Sequence, residues 1–172
     1  MKKDNWIYKV FFITFILAAA FSGLSNIISE KFNSFVLALI ILFVTGIGIL
    51  FDMIGTAVLT AEEKNFHAKS SRKIKGAKES ISIIKNNVTI ANICNDIIGD
   101  ICGIVSGGLG AVLAINLSIQ FNINITLTTI VISSIISSLT VGGKAIFKNV
   151  ATKECDNIIM FVGKILSIFK RK

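Results

Sequence analysis

Four apolar stretches, separated by polar or charged segments, dominate the chain: residues 10–28, 34–61, 90–117 and 125–141. As a helix, each is long enough to cross a hydrocarbon core, which takes about 17 to 25 residues. The fourth is rich in β-branched residues that favour strands in water, but a lone strand in lipid leaves its backbone groups without hydrogen-bond partners. We therefore predict an all-α integral membrane protein with three to four transmembrane helices.

The first apolar stretch has two interpretations. It follows a basic start, Met1-Lys2-Lys3, and contains the small residues Ala18-Ala19-Ala20, as a cleavable signal peptide would. Because the apolar character continues past the alanines to Ile28, we favour an uncleaved transmembrane helix within residues 1–33. Cleavage would change the number of spans but not the topology predicted for residues 34–172.

Two charged segments show helical periodicity. In residues 62–87, the apolar positions between the lysines recur at helical spacing, and they are Ile74, Ala77, Ile81 and Ile84. In residues 149–172, one helical face is apolar, and it carries Ile158, Phe161, Val162 and Ile165. We predict basic cytoplasmic short helices over 62–87 and a C-terminal amphipathic interfacial helix over 149–172.

Composition and charge agree with a location in the membrane. The chain is 53% hydrophobic and 16% charged, with a mean hydropathy of +0.77, which is too apolar for a soluble enzyme. The formal net charge is +8, and the positive-inside rule places the basic segments 62–87 and 144–172 in the cytoplasm. We predict a multi-pass protein of the inner or plasma membrane whose basic segments face the lipid bilayer rather than nucleic acid.

Candidate catalytic motifs are missing from the sequence. It contains no nucleophile elbow, no Ser/His/Asp set and no phosphate-binding loop. The aspartates Asp96 and Asp100 have the spacing of half of the paired-aspartate motif of lipid-phosphate alcohol transferases, but the other half is absent. We therefore predict that the protein is not an enzyme.

Three aspartates fall within the predicted spans: Asp52, Asp96 and Asp100. A carboxylate in a span costs at least about 2.5 kcal/mol and is normally kept for a purpose. Asp52 and Asp100 lie at similar distances along the chain from the basic segment, which at about 1.5 Å per residue places both roughly 15 to 18 Å from the cytoplasmic boundary. We expect the three carboxylates to face one pocket.

Amide and hydroxyl oxygens from Asn92, Asn95 and Thr56 would complete an all-oxygen set around these carboxylates. Such a set suits a hard divalent cation such as Mg²⁺ better than zinc or copper. The alternative is that one or more of the acids is protonated and forms a hydrogen bond between helices.

Gly99, Gly103 and Gly107 recur every four residues in the third stretch. Small residues at this spacing let another transmembrane helix approach closely. The helix could belong to this chain or to a second copy in a homodimer, and the sequence does not separate the two.

Several short motifs resemble the transmembrane domain of the cyclin-M / CorB / CorC magnesium transporter family. The residues that carry the resemblance are Phe51–Ala57, Gly76–Asn86, Asn92–Asp96 and Lys144 with the tail. The resemblance covers residues 34–172 and implies a homodimer that exchanges Mg²⁺ or a similar cation. Gly55 stands where the family commonly has Glu.

Two functional hypotheses follow from the sequence. In the first, the protein binds, and transports, Mg²⁺ or a similar divalent cation through the intramembrane acids. In the second, it is a non-transporting membrane module that associates with a partner membrane protein or a separate regulatory protein through its glycines and its basic surface helices.

Overall fold

A computed structural model describes residues 33–169, together with residues 11, 12, 15, 16, 19, 20 and 23. In this part of the chain every regular element is a helix. The elements are α1 (Ser34–Thr60), α2 (Lys64–Ser71), α3 (Ala77–Lys85), α4 (Asn87–Asn92), a π-helical segment (Ile93–Ile98), α5 (Gly99–Phe121), α6 (Ile125–Lys153) and α7 (Cys155–Phe169). The prediction for residues 1–33 falls mostly outside the described residues.

Three helical stretches are long and apolar enough to cross a membrane: α1, the run Asn87–Phe121, and α6. The prediction of an all-α chain with membrane-spanning helices is confirmed to this extent. The fourth apolar stretch, predicted over residues 125–141, lies within a longer helix, because α6 continues to Lys153. The C-terminal helix begins at Cys155, whereas it was predicted from residue 149. The fourth stretch is helical despite its β-branched residues, as expected where the backbone must satisfy its own hydrogen bonds.

The described residues divide into two compact units. The first unit contains residues 33–48 and 100–141. Its core is formed by buried side chains of α1 and α5, with residues of α6 packed against them; the buried members are Leu37, Ile41, Leu109 and Leu113. Among the described residues of this unit, Asp100 is the one charged side chain, and it is exposed.

The second unit contains residues 49–99 and the described residues from 142 onward. Its apolar core joins the end of α1 to α2, α3, α6 and α7, and its buried members include Val58, Phe66, Ala77, Ile83, Ala151 and Ile159. The predicted helical segment 62–87 is two helices here, α2 and α3. Of the four apolar residues that predicted it, Ala77 and Ile84 are buried, Ile81 is half-buried and Ile74 is exposed.

Helices α3 and α7 pack closely around one buried hydroxyl group. The Ser80 Oγ lies 2.9 Å from the carbonyl oxygen of Gly76 and 3.0 Å from that of Ile159. Gly76 has a φ of 89°, a left-handed conformation that favours glycine, and it begins α3. A Cβ at Gly163 would collide with the Gly76 carbonyl and with Ser80, so only glycine permits this contact.

The sequence predicted an apolar face of α7 for the membrane interface, and it did not predict which side packs against the rest of the second unit. Ile159, Met160 and Gly163 are buried, whereas Phe161 and Ile165 of the predicted face are exposed. The predicted face was chosen by side-chain hydrophobicity, which gives Gly163 no weight even though its small size determines where α3 can approach. The helix is therefore apolar on two sides.

Replacing Gly163 by Ala should destabilise the second unit by about 1 to 3 kcal/mol, the usual cost of overpacking. The measurement is thermal unfolding of the purified protein in detergent. Gly142→Ala is the matched control, because no described atom lies within 4 Å of a Cβ built there. Equal melting temperatures for the two variants would contradict the close α3–α7 contact.

Candidate functional site

Asp52 is a buried carboxylate on α1, in the second unit, and is 4% exposed. The helical spacing places Gly55 and Thr56 one turn further along the same face. The Thr56 hydroxyl donates a hydrogen bond to the main-chain carbonyl of Asp52 at 2.9 Å, as hydroxyl residues in transmembrane helices commonly do. The carboxylate itself has to be stabilised by side chains from elsewhere.

Two lysines of α6 supply that stabilisation. The Nζ of Lys144 lies 3.3 Å from Asp52 Oδ1, and the Nζ of Lys148 lies 3.7 Å from Asp52 Oδ2. The lysines are one helical turn apart, so both reach the same carboxylate from one face of α6. Lys144 is the less accessible of the two, with a side chain 26% exposed against 52% for Lys148.

The sequence analysis missed this ion pair. Lys144 and Lys148 fall in the segment 144–172, which was predicted to be cytoplasmic because the apolar stretch ends near Val141. The signal that could have found the pair is the spacing of the two lysines together with the need of a buried carboxylate for a cation. Because one carboxylate faces two ammonium groups, the three side chains together have a formal net positive charge.

Asn95 packs directly over Gly55. A Cβ at Gly55 would collide with the Asn95 side chain, so a larger residue at position 55 would force the amide to move. The Oδ1 of Asn95 is buried and has no hydrogen-bond donor among the described residues, and the same is true of Asp52 Oδ2. Two buried oxygens without a donor therefore occur close to one turn of α1.

Asn95 lies in the π-helical segment Ile93–Ile98, where the sequence analysis expected a regular α-helix. A π-helical turn inserts an extra residue and occurs frequently at functional sites. Asn95 is half-buried here, whereas its neighbours Asn92 and Asp96 are exposed. Side chains that were predicted as one ligand set therefore differ in burial.

The predicted acids differ in their surroundings. Asp52 is buried, and Asp96 and Asp100 are exposed. Within the described part of the chain, no three His, Cys, Asp or Glu side chains are grouped so that they could hold a metal ion. Of the three predicted carboxylates, Asp52 is the one with a buried site around it, and the metal-binding roles of Thr56, Asn92, Asn95, Asp96 and Asp100 stay predictions.

The three glycines predicted to pack against another helix, Gly99, Gly103 and Gly107, also differ in burial. Gly99 is buried, and a Cβ built there would lie 3.6 Å from the Lys144 Nζ. Gly103 and Gly107 are exposed, and no described atom lies within 4 Å of a Cβ at either position. These two glycines therefore have no helix of the described chain packed directly against them.

Comparison of the chain with protein-family models, with curated proteins and with solved structures gives no match. The resemblance to the cyclin-M / CorB / CorC family rests on the sequence motifs and stays a prediction. The function has to be argued from the geometry around Asp52.

Asp52→Asn should destabilise the protein by up to about 3 kcal/mol, because it leaves the Lys144 ammonium without its partner. The double variant Asp52→Asn/Lys144→Gln should recover at least half of this loss, since both charges are removed together. Thermal unfolding in detergent of the wild type, both single variants and the double variant gives the coupling energy. Additive effects would show that the ion pair does not stabilise the fold.

Proposed function

We propose that the protein binds a divalent cation such as Mg²⁺ within the membrane, at Asp52 and Asn95, and that this site serves cation transport. The supporting observation is the pair of buried oxygens, Asp52 Oδ2 and Asn95 Oδ1, that lack a hydrogen-bond donor. Buried polar atoms in folded proteins nearly always have a partner. Asp52 Oδ2 has the Lys148 ammonium at 3.7 Å, beyond hydrogen-bond distance, and Asn95 Oδ1 has no described partner, so the two oxygens leave room for a ligand. Carboxylate and amide oxygens are ligands that hard cations accept.

One carboxylate is enough for a site of this kind. Mg²⁺ dehydrates reluctantly and is usually held through one or two carboxylates while it keeps several waters. Asp52 would supply the charge, and Asn95 and the hydroxyl of Thr56 would supply neutral oxygens. The ion would keep its remaining water ligands. Few protein oxygens would have to be released when it leaves, which suits a transported ion better than a permanently bound one.

Lys144 gives the proposed site a means of release. Its ammonium group and that of Lys148 compensate the charge of Asp52 in the absence of a metal ion, and a cation that binds the carboxylate has to displace them. The metal ion and the ammonium therefore compete for one carboxylate, and neither state leaves a bare negative charge in the membrane. Return of Lys144 to Asp52 would favour release of the ion.

We further propose that the basic segments 62–87 and 144–172 face the cytoplasm and that the protein is a homodimer in the inner or plasma membrane. The orientation follows from the positive-inside rule. The dimer follows from the family resemblance and from the exposed glycines Gly103 and Gly107.

A non-transporting membrane module is the second candidate, and the surface of the first unit favours it. Asp100 is an exposed carboxylate, and it is the one charged side chain among the described residues of this unit. A cleft of about 300 Å³ lies between α5 and α6 and is lined by small and hydroxyl side chains that include Gly103, Ser106, Gly107, Ser133, Ser137 and Thr140. Such a surface would be covered by a helix of another membrane protein.

The cation proposal predicts that Mg²⁺ raises the melting temperature of the purified protein. A ligand at a hundredfold excess over its Kd stabilises by about 2.7 kcal/mol. Lys144→Gln should bind Mg²⁺ at least about tenfold more tightly, because the competing charge is gone. The melting temperature of the wild type and the variant is measured across Mg²⁺ titrations, with Na⁺ at equal ionic strength as the ion control.

Asp52→Asn/Lys144→Gln is the matched control, because it lacks the carboxylate and the less exposed of its two lysine partners; the remaining Lys148 is 52% exposed. It should fold and show no Mg²⁺ shift. A Mg²⁺ shift of equal size in this double variant, or no shift in any sample, would contradict a site at Asp52 and leave the second candidate.

The second candidate predicts that Gly103→Leu or Gly107→Leu reduces association with a second copy or a partner, because the added side chain projects into the cleft. Chemical crosslinking in native membranes measures the association. Gly142→Leu is the control, since it adds the same side chain at an open position outside the cleft. Unchanged crosslinking in both cleft variants would exclude this surface.

A further inference from the structure

The turn between α2 and α3 forms a basic cavity against the end of α7. The cavity has a volume of about 700 Å³ and belongs to the second unit. We call it the lysine cavity, and its lining includes Lys73, Ile74, Lys75, Gly76, Lys78 and Ile168. None of these residues takes part in the cluster around Asp52.

The backbone of the turn directs several lysines to one place. Lys73 and Gly76 have positive φ values of 54° and 89°. Hydrogen bonds from Lys73 N to Ser70 O and from Ile74 N to Lys69 O hold the start of the turn against the end of α2. A lysine with positive φ is uncommon and costs conformational energy. The reversed chain places three lysines within the lining of a single cavity.

The charge in the lysine cavity is largely uncompensated. The ion pairs within the described residues do not involve Lys73, Lys75 or Lys78. Glu79 also lines the cavity, so the three lysines and this one carboxylate give the lining a net charge of +2. The beginning of α3 adds the positive end of a helix dipole, which favours an anion further.

One wall of the lysine cavity is apolar. Ile168 is 72% exposed and Ile74 is 42% exposed, and both contribute to the lining. Ile168 belongs to the exposed apolar side of α7, which also presents Phe161 and Ile165. A helix with this surface lies in the membrane interface, at the depth of the lipid headgroups. A ligand in the cavity would therefore meet positive charge and apolar side chains together.

We propose that the lysine cavity binds the phosphate headgroup of an anionic phospholipid. The three lysines would contact the phosphate oxygens, and Ile74 and Ile168 would contact the glycerol and the first acyl carbons. A soluble phosphate compound offers the same charge but leaves these two apolar side chains in water. The lipid satisfies both parts of the cavity, and it would hold α7 and the α2–α3 turn at the membrane surface.

The test compares melting temperatures of the full-length protein in detergent micelles that contain phosphatidylglycerol, phosphatidylcholine or neither. Phosphatidylglycerol should raise the melting temperature of the wild type, and phosphatidylcholine should not. In Lys73→Gln/Lys75→Gln/Lys78→Gln, the half-saturating fraction of phosphatidylglycerol should rise at least about tenfold, since each lysine near anionic lipid contributes about 1 kcal/mol, or about fivefold in affinity.

A control variant with the same change in net charge distinguishes binding in the lysine cavity from general attraction between the basic protein and anionic lipid. Lys64→Gln/Lys85→Gln/Lys153→Gln removes three lysines from the second unit outside the lysine cavity, and it should keep the wild-type response to phosphatidylglycerol. Equal loss in both triple variants would overturn the proposal, as would no response in the wild type.

Inorganic phosphate and the variant Ile168→Ser distinguish a phospholipid ligand from a soluble phosphate compound. Millimolar inorganic phosphate without lipid should leave the wild-type melting temperature unchanged, and Ile168→Ser should weaken the response to phosphatidylglycerol. Stabilisation by inorganic phosphate equal to that by phosphatidylglycerol would overturn the lipid assignment in favour of a soluble ligand.

Discussion

A carboxylate within a membrane-spanning helix needs a cation, and in this protein α6 supplies it. Asp52 is buried in α1, and Lys144 and Lys148 reach it from one face of α6. Moving either charge into hydrocarbon alone costs several kcal/mol, whereas the pair can be tolerated. The ion pair therefore joins the second half of α1 to the last part of α6, and the apolar core of the second unit joins the same two helices through Val58 and Ala151.

The same constraint explains why the described charges are distributed so unevenly. Between residues 33 and 169, the second unit carries every charged side chain except Asp100. The first unit is held instead by apolar contacts such as those of Leu37 and Leu109. If Mg²⁺ enters the proposed site, it has to replace an ammonium group, so binding of the ion and the packing of α6 on α1 are linked.

Sequence patterns predicted much of the fold and less of the site. Length and hydropathy located the spans of α1 and α6, because the cost of exposed backbone in lipid leaves the helix as the only solution for an isolated span. The end of α6 was missed because Gly142, Gly143 and Lys144 resemble the end of a span, whereas Lys144 is retained by its contact with Asp52. A tertiary partner of this kind leaves no local periodicity to detect.

The π-helical segment and the buried side of α7 were missed for a related reason. Nothing in the composition of Ile93–Ile98 distinguishes a π-helix from an α-helix, and no local pattern shows that Asn95 of this segment packs against Gly55. On α7, Gly163 determines the approach of α3 by its lack of a side chain. In both cases the decisive contact joins residues far apart in the sequence.

The most direct test of the account is the distance between the Lys144 Nζ and the Asp52 carboxylate carbon, measured by magic-angle-spinning nuclear magnetic resonance of the isotope-labelled protein in lipid bilayers. In the absence of divalent cations, we expect a strong dipolar coupling, consistent with the 3.3 Å between Nζ and Oδ1. Saturating Mg²⁺ should weaken it as the ion displaces the ammonium group. Absence of the coupling without Mg²⁺ would contradict the ion pair, and a coupling unchanged by saturating Mg²⁺ would contradict the competition between Lys144 and the ion.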